Sequence, residues 1–114
     1  MKIRIRKRYL TFNARKLSHF GKAIGLMFSR REKAEILLFE FKNPVKMRIH
    51  SFFVFYKFIA LWLDNKNKVI DWKIVKPFLP SVSSKKPFYK LVEIPFNKKY
   101  SPLCRVIVGD KKYL

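Results

Sequence analysis

Acidic residues are scarce in this chain. Seven Asp and Glu stand against 27 Lys and Arg in 114 residues, a formal net charge of +20. A surface that neutralises itself is excluded, because an excess of this size repels itself unless a polyanion screens it. Cysteine occurs once, at Cys104, which excludes an intramolecular disulfide and fits a reducing, cytoplasmic setting. Three glycines and six prolines exclude a flexible low-complexity polypeptide. Two widely spaced histidines and one cysteine give no metal-ligand spacing, so no metal or cofactor is expected. No apolar run reaches the ~20 residues of a spanning helix. The longest, residues 49–63, is interrupted by Lys57 and ends in the polar turn "DNKNK".

What is present is apolar and aromatic. Hydrophobic residues make up 49%, enough for one core in one domain spanning 1–114. At the N-terminus, Ile3 and Ile5 alternate with Lys2, Arg4 and Arg6, which predicts a half-buried strand with a cationic outer face within residues 1–12. Its basic, acid-free character imitates a transit peptide, but the apolar period argues for structure, and no apolar signal core follows. Ala14, Leu17, Phe20, Ile24 and Met27 or Phe28 recur at three and four residues, which predicts a helix with Asn13 as its N-cap. Residues 35–41 read as a buried strand closed by the "KNP" turn, and 45–56 and 58–63 as two strands or one long bent one. Residues 70–74 alternate as the hairpin partner of the latter. Residues 76–87 hold three prolines and three serines and read as a long surface loop. Residues 88–95 and 103–108 complete the strands, the last closed by Gly109. The sum is a mainly β, antiparallel sandwich or barrel with one N-terminal helix.

Several pieces carry a resemblance. "GLMFSR" (25–30), "ILLFEF" (36–41), "IHSFFVFYKFIALWLDNKNKVIDW" (49–72), "KPF" with "KKPFYKLVEIP" (76–78, 85–95) and "VGD" (108–110) occur in the order found in the domain of unknown function numbered 192, archaeal branch. Over residues 13–110 the chain resembles that family. The resemblance implies a jelly-roll type of β fold and no particular reaction. Members commonly carry Pro-Ile-Asp or Pro-Leu-Asp in the central strand, where this chain has Lys57, Phe58 and Ile59. A polar site built on that aspartate would be missing here.

Catalytic readings are thin. Asp64 and Asp71 flank a turn, where acids serve turn geometry. Cys104 sits among apolar residues, where an inert thiol is the usual outcome, and His19 and His50 read as solvated or locally bonded. Gly21 and Gly25 lack the phosphate-loop pattern and read as packing features. The chain is therefore expected not to be an enzyme.

The basic residues carry the signal. Residues 1–33 hold eleven Lys and Arg and one acid, Glu32. Lys2, Arg4, Arg6, Lys7, Arg8, Arg15, Lys16, Lys22, Arg30 and Arg31, with Lys85 and Lys86 of the long loop, form the expected nucleic-acid-binding set. Guanidinium groups fork onto phosphate oxygens and lysines add point charges. Lys33 continues the first cluster, Lys42, Lys46 and Arg48 add a second, and Lys76 and Lys90 flank the loop. Tyr9, Phe78, Phe88, Tyr89, Tyr100 and Tyr113 are the aromatics placed to stack on unpaired bases. The expectation is a non-enzymatic RNA-binding protein, a ribosomal or ribosome-associated component holding rRNA phosphates, with ribosomal proteins as further partners. The alternatives are a peripheral module on an anionic membrane surface and a small-molecule-binding or enzymatic β-sandwich.

Overall fold

The computed structural model describes residues 1–17, 26 and 29–109. Two sheets are present among the described residues. β1 (Lys2–Ile5) and β2 (Arg8–Thr11) form a hairpin. β3 (Arg15–Lys16), β4 (Leu37–Val45), β5 (Phe58–Leu63), β6 (Val69–Val75) and β7 (Phe88–Pro95) form a five-stranded sheet ordered β3-β4-β7-β5-β6. β3 runs parallel to β4, and the other neighbours are antiparallel. The sheet ends at β3 and β6 and does not close into a barrel. One helix, α1 (Ser101–Val108), follows β7 among the described residues.

β5 explains why the sheet lies in the middle. All six of its residues are buried. Phe58, Ala60 and Trp62 enter one core with Leu37, Phe39, Phe88 and Leu91. Ile59, Leu61 and Leu63 enter the other, with Val92, Ile94, Ile3, Ile5, Cys104 and Ile107. A strand read as buried on both faces is buried on both faces. The β1–β2 hairpin and α1 cover one side. Leu26, Val54, Tyr56 and Val82, which lie outside the strands, cover the other. The arrangement is mainly β and sandwich-like.

The apolar run that first suggests a membrane segment is thus the sheet's centre and its flanking loop. No helix among the described residues is long and apolar enough to cross a membrane.

Several sequence expectations need correction. The first strand is a hairpin: Arg6 takes a left-handed backbone, φ 54°, and turns the chain into β2. The helix expected from Asn13 does not begin there. Arg15 and Leu17 donate their amides to Ile36 and Leu38 carbonyls at 2.8 and 3.0 Å, so the chain is extended as β3. The remainder of that predicted helix lies largely outside the described residues. β4 does not stop at "KNP". It bulges between Glu40 and Val45, with Lys42, Asn43 and Pro44 exposed, and a bulge tolerates a proline that cannot donate to the ladder. Beyond Val45, residues 46–57 form a loop with a single bridge, Ile49 to Val82, rather than a strand. The loop is anchored instead through Ser51, which is fully buried. Ser51 donates its hydroxyl to the Lys76 carbonyl at 2.6 Å and accepts the Leu79 amide at 2.6 Å.

The last predicted strand, 103–108, is α1. Pro102 fits the first turn, where no amide partner is needed, and Gly109 ends the helix at φ 66°, donating to the Arg105 carbonyl at 2.9 Å. Leu103, Cys104, Ile107 and Val108 recur at one, four and five residues, a helix face that packs on the sheet. β-Branched composition favoured a strand, and the caps and packing prevail. A Cβ at Gly109 would meet Arg6 Nη2 at 3.4 Å on a backbone that L side chains rarely adopt. Gly109→Ala is expected to lower stability by about 1 kcal/mol, read as a lower urea midpoint at constant slope.

Candidate functional site

The predicted basic set is divided among several places. Lys2 and Arg4 project from the open side of β1, and their charges lie 4.6 and 5.8 Å from the ring centre of Tyr9, which is 60% exposed. Tyr9 is the cross-strand partner of Arg4, so register alone sets this cation–aromatic group. Lys7 and Arg8 are exposed at the hairpin's turn end. Arg15 and Lys16 lie on β3, at the opposite edge of the sheet from β6, against which β1 leans. Lys16 reaches Glu40 at 3.7 Å. Arg30 is exposed, and Lys85 and Lys86 are exposed in the loop before β7. Lys22 lies outside the described residues, as do His19, Gly21, Gly25 and Tyr113.

Arg6 departs from its predicted role. Both its terminal nitrogens donate to the Ile107 carbonyl, Nη1 at 3.1 Å. A guanidinium at the last turn of a helix satisfies a carbonyl the helix leaves open and matches the negative end of its dipole. Arg6 thus locks the hairpin turn to α1. Arg6→Gln is expected to cost about 1.5–3 kcal/mol, the range for a charge-assisted hydrogen bond, seen as a lower melting temperature.

Arg31 also bonds the backbone, with Nε donating to the Phe96 carbonyl at 2.6 Å. It lines a cleft of about 610 Å³ with Glu32, Lys57, Phe96, Asn97, Lys98 and Ser101. Asn97 braces the walls. Its Nδ2 donates to the Arg31 and Ala34 carbonyls at 2.9 and 3.1 Å, and its Oδ1 accepts the Tyr100 amide at 3.1 Å. Glu32 Oε2 accepts the Lys98 amide at 3.2 Å, and Lys57 Nζ lies 5.6 Å from the Phe96 ring centre. Lys57 is exposed, although it interrupts an apolar run. Three cations therefore face one acid at the entrance to α1, whose first turn has no side-chain cap. Such a cleft suits an oxyanion. Sequence reasoning found Arg31 but missed Lys57, Lys98 and Ser101, because the groups come from segments far apart in the chain.

Several acids are already committed. Asp64 Oδ1 accepts the amides of Lys66 and Lys68 at 2.8 and 2.9 Å and shapes the hairpin turn, as expected of an acid there. Asp71 accepts the amides of Trp72 and Lys85 at 2.9 and 3.0 Å. Glu93 is buried on β7, on the face of Ala60, its partner in β5. Burial pushes its carboxyl up to about 8. Tyr56 is raised as well, chiefly by burial, with its bond to Ser29 opposing and the charge of Glu93 adding. Ser29 spends its proton on the Leu26 carbonyl, so the Tyr56 hydroxyl is the donor to Ser29 Oγ. Nothing in the spacing of the seven acids singles out Glu93. The signal that could have found it is its place in "LVEIP", between residues that must face both cores.

Cys104 is buried in α1, not in a strand, and burial pushes its thiol up to about 11. Its Sγ approaches the Pro95 carbonyl at 3.8 Å. A thiol held protonated is a poor nucleophile. Cys104→Ala should cost stability and leave ligand binding unchanged, while a thiol reagent should modify the parent no faster than it unfolds. His50 is exposed, and its Nδ1 accepts the Phe52 amide at 3.2 Å, the local bond expected of it. Among the described residues, no three His, Cys, Asp or Glu side chains group to hold a metal ion. Of the aromatics proposed for stacking, Phe88 is fully buried and belongs to the core, Tyr89 and Tyr100 are half-buried, and Tyr9 and Phe78 are open.

Comparison with known proteins places the fold. No family model matches the chain. It is 27% identical over 94 residues to a UPF0127 protein, of an uncharacterised family, from the archaeon Pyrococcus horikoshii, covering 82% of this chain and 79% of that one. The structure of a candidate transcription regulator from Sinorhizobium meliloti matches with a TM-score of 0.65 at 17% identity, over 87% of this chain and 78% of that one. A protein of unknown function from Novosphingobium aromaticivorans matches with a TM-score of 0.61 at 15% identity, over 80% of this chain and 66% of that one. The chain shares its β-rich fold with both bacterial structures.

Proposed function

We propose that this protein binds RNA by neutralising phosphates, without catalysis, as a ribosomal or ribosome-associated component in the cytoplasm. The observation that carries the reading is the scarcity of its acids, several of which are already engaged. Even one-to-one pairing of every acid would leave 20 of 27 cations unmatched, as 27 minus 7 shows. Asp64, Asp71 and Glu32 are held by backbone amides, and Glu93 is buried. The cations therefore await counter-charge from outside. Lys2 and Arg4 beside the open ring of Tyr9 offer charge and a stacking face together. Membership of the family numbered 192 belongs to the same proposal, supported by the order of its motif pieces.

Salt dependence tests the reading. Contact with about six phosphates gives a log–log slope near −4 to −5. Replacing Lys2, Arg4 and Arg8 with Gln should flatten it by roughly two to three units and weaken binding alike across sequences. Arg6 is left intact because it holds α1. Replacing Lys85 and Lys86 should act in the same direction more weakly. A flat salt response would overturn the proposal. A second reading, a small anionic ligand, is favoured by the cleft of Arg31, Lys57 and Lys98. Saturable binding of inorganic phosphate or a mononucleotide, lost in Lys57→Gln and Lys98→Gln while RNA is not bound, would establish it instead.

A further inference from the structure

Aromatic side chains left about half exposed are gathered on two adjoining loops. Phe52, Phe53, Phe55 and Phe78 are 43, 48, 60 and 51% exposed. His50 lies 5.5 Å from Phe52, ring centre to ring centre, and Phe55 meets Phe78 edge-on at 5.4 Å. The loops are tied together. Besides its two hydroxyl bonds, buried Ser51 donates its amide to the Leu79 carbonyl at 2.9 Å and accepts the Phe78 amide at 2.9 Å. Ile49 and Val82 exchange two further backbone bonds at 2.8 and 2.7 Å. Within this frame Phe53 and Phe78 take φ of 63° and 61°. A left-handed backbone at a bulky residue costs about 1–2 kcal/mol, and such strain persists where surrounding bonds enforce it, commonly at functional sites.

We propose that this pinned aromatic platform stacks the unpaired bases of a single-stranded RNA segment. Lys46, Arg48 and Lys76 of the same loops hold the adjoining phosphates. The inference rests on the RNA reading above and names the form of RNA taken. Charge complementarity favours it: the loops that carry the rings carry cations and no acid between residues 45 and 63 or between 76 and 87. Ring presentation favours it over a lipid surface. The residues are 43–60% exposed and tied into a bonded frame, so the side chains do not protrude whole. Flat faces beside cations are what sequence-tolerant stacking on a charged strand needs. Duplex bases are hidden from such a surface, so the platform discriminates where phosphate neutralisation alone does not.

Three probes test this at matched salt: a labelled twelve-nucleotide oligouridine, an RNA duplex of the same length, and phosphatidylcholine vesicles containing phosphatidylglycerol. The full chain should bind the single strand more tightly than the duplex. Phe55→Leu with Phe78→Leu keeps apolar bulk but removes the aromatic faces. It should weaken single-strand binding about tenfold or more, leave the salt slope unchanged and leave duplex binding as it was. Phe55→Tyr with Phe78→Tyr keeps the faces and should restore the preference. Equal affinity for both RNAs with a steep salt slope would overturn the platform and leave the phosphate reading standing. Failure to bind either RNA would overturn both. Vesicle binding that survives in the leucine variant, with no preference for the single strand, would assign the surface to lipid.

Discussion

Between pH 5 and pH 9 the parent protein should lose stability relative to a Glu93→Gln variant. Glu93 is buried in β7, and its carboxyl is pushed up from 4.5 to about 8 because burial disfavours the ion. In the unfolded chain it titrates at the ordinary value. From pH 4.5 to 8 the folded form therefore keeps a proton that the unfolded form has released. Stability rises with pH where the unfolded state binds more protons and falls where the folded state does. The contribution of Glu93 is complete below pH 4.5, declines through the window and is gone above 8. The full shift of about 3.5 units is worth on the order of 4–5 kcal/mol, a large share of a domain's usual 5–15 kcal/mol. Glutamine resembles the protonated acid in shape and carries no titration. The variant should match the parent within about 1 kcal/mol at pH 5 and exceed it by several kcal/mol at pH 9, in urea melts monitored by circular dichroism. The net charge of +20 acts in the opposite sense, because self-repulsion does not grow as pH rises. The comparison is therefore between the two proteins at each pH. Parallel stability curves would show that Glu93 is charged in the folded state and would remove the burial argument.

Residue patterns showed the centre of this molecule and hid its margins. Phe58 to Leu63 is apolar at every position, and only a strand covered on both faces explains that without a spanning helix. Phe88 to Pro95 was legible because Pro87 and Pro95 bracket it. The edges followed other rules. At Arg15 and Leu17, a helical apolar period lost to two hydrogen bonds with Ile36 and Leu38 at the start of β4, partners about twenty residues away that local spacing does not encode. At residues 103–108, β-branched composition lost to Pro102 and Gly109, whose capping signals were in the sequence. In residues 46–57 a strand-like composition lost to Ser51, whose amide, carbonyl and hydroxyl all bond the loop 76–79, the carbonyl also accepting the Val54 amide.

The candidate sites divide the same way. Lys2 and Arg4 on one face of β1 were legible from alternation, but Tyr9 reaches them only through the hairpin, which alternation did not show. Arg6 looked equivalent to Arg4, yet it turns the chain and bonds Ile107, about one hundred residues on. The cleft of Arg31, Lys57 and Lys98 has no sequence signature, since no two of its cations lie within twenty residues of each other.

Trp62 should separate packing from hydrogen bonding. It is the largest fully buried side chain and stands in β5 against Phe88, at 6.4 Å between ring centres and 62° between planes, with Phe88 itself edge-on to Phe41 at 5.9 Å. Trp62→Ala should cost about 3–5 kcal/mol, the range for losing a core aromatic, and leave little of a marginal domain folded at 37 °C. Trp62→Phe should be much milder. The indole Nε1 is buried with no hydrogen-bond partner among the described residues, and a buried unsatisfied donor costs about 1–3 kcal/mol. Phenylalanine loses volume but removes that donor, so the two effects offset to about 1 kcal/mol or less. Lys73 gives the test a functional arm. Its ammonium lies 5.9 Å from the Trp62 ring centre and donates to the Ser83 carbonyl at 2.6 Å, holding the loop that carries Lys76, Phe78, Lys85 and Lys86. With Trp62→Phe the cation keeps an aromatic face, though a weaker one, and the loop should stay in place. RNA affinity should then follow the parent, while urea midpoints distinguish the two substitutions at constant slope. A phenylalanine variant as unstable as the alanine variant would show that Nε1 has a partner whose loss is costly, and Trp62 would have to be reassigned from packing to a polar role.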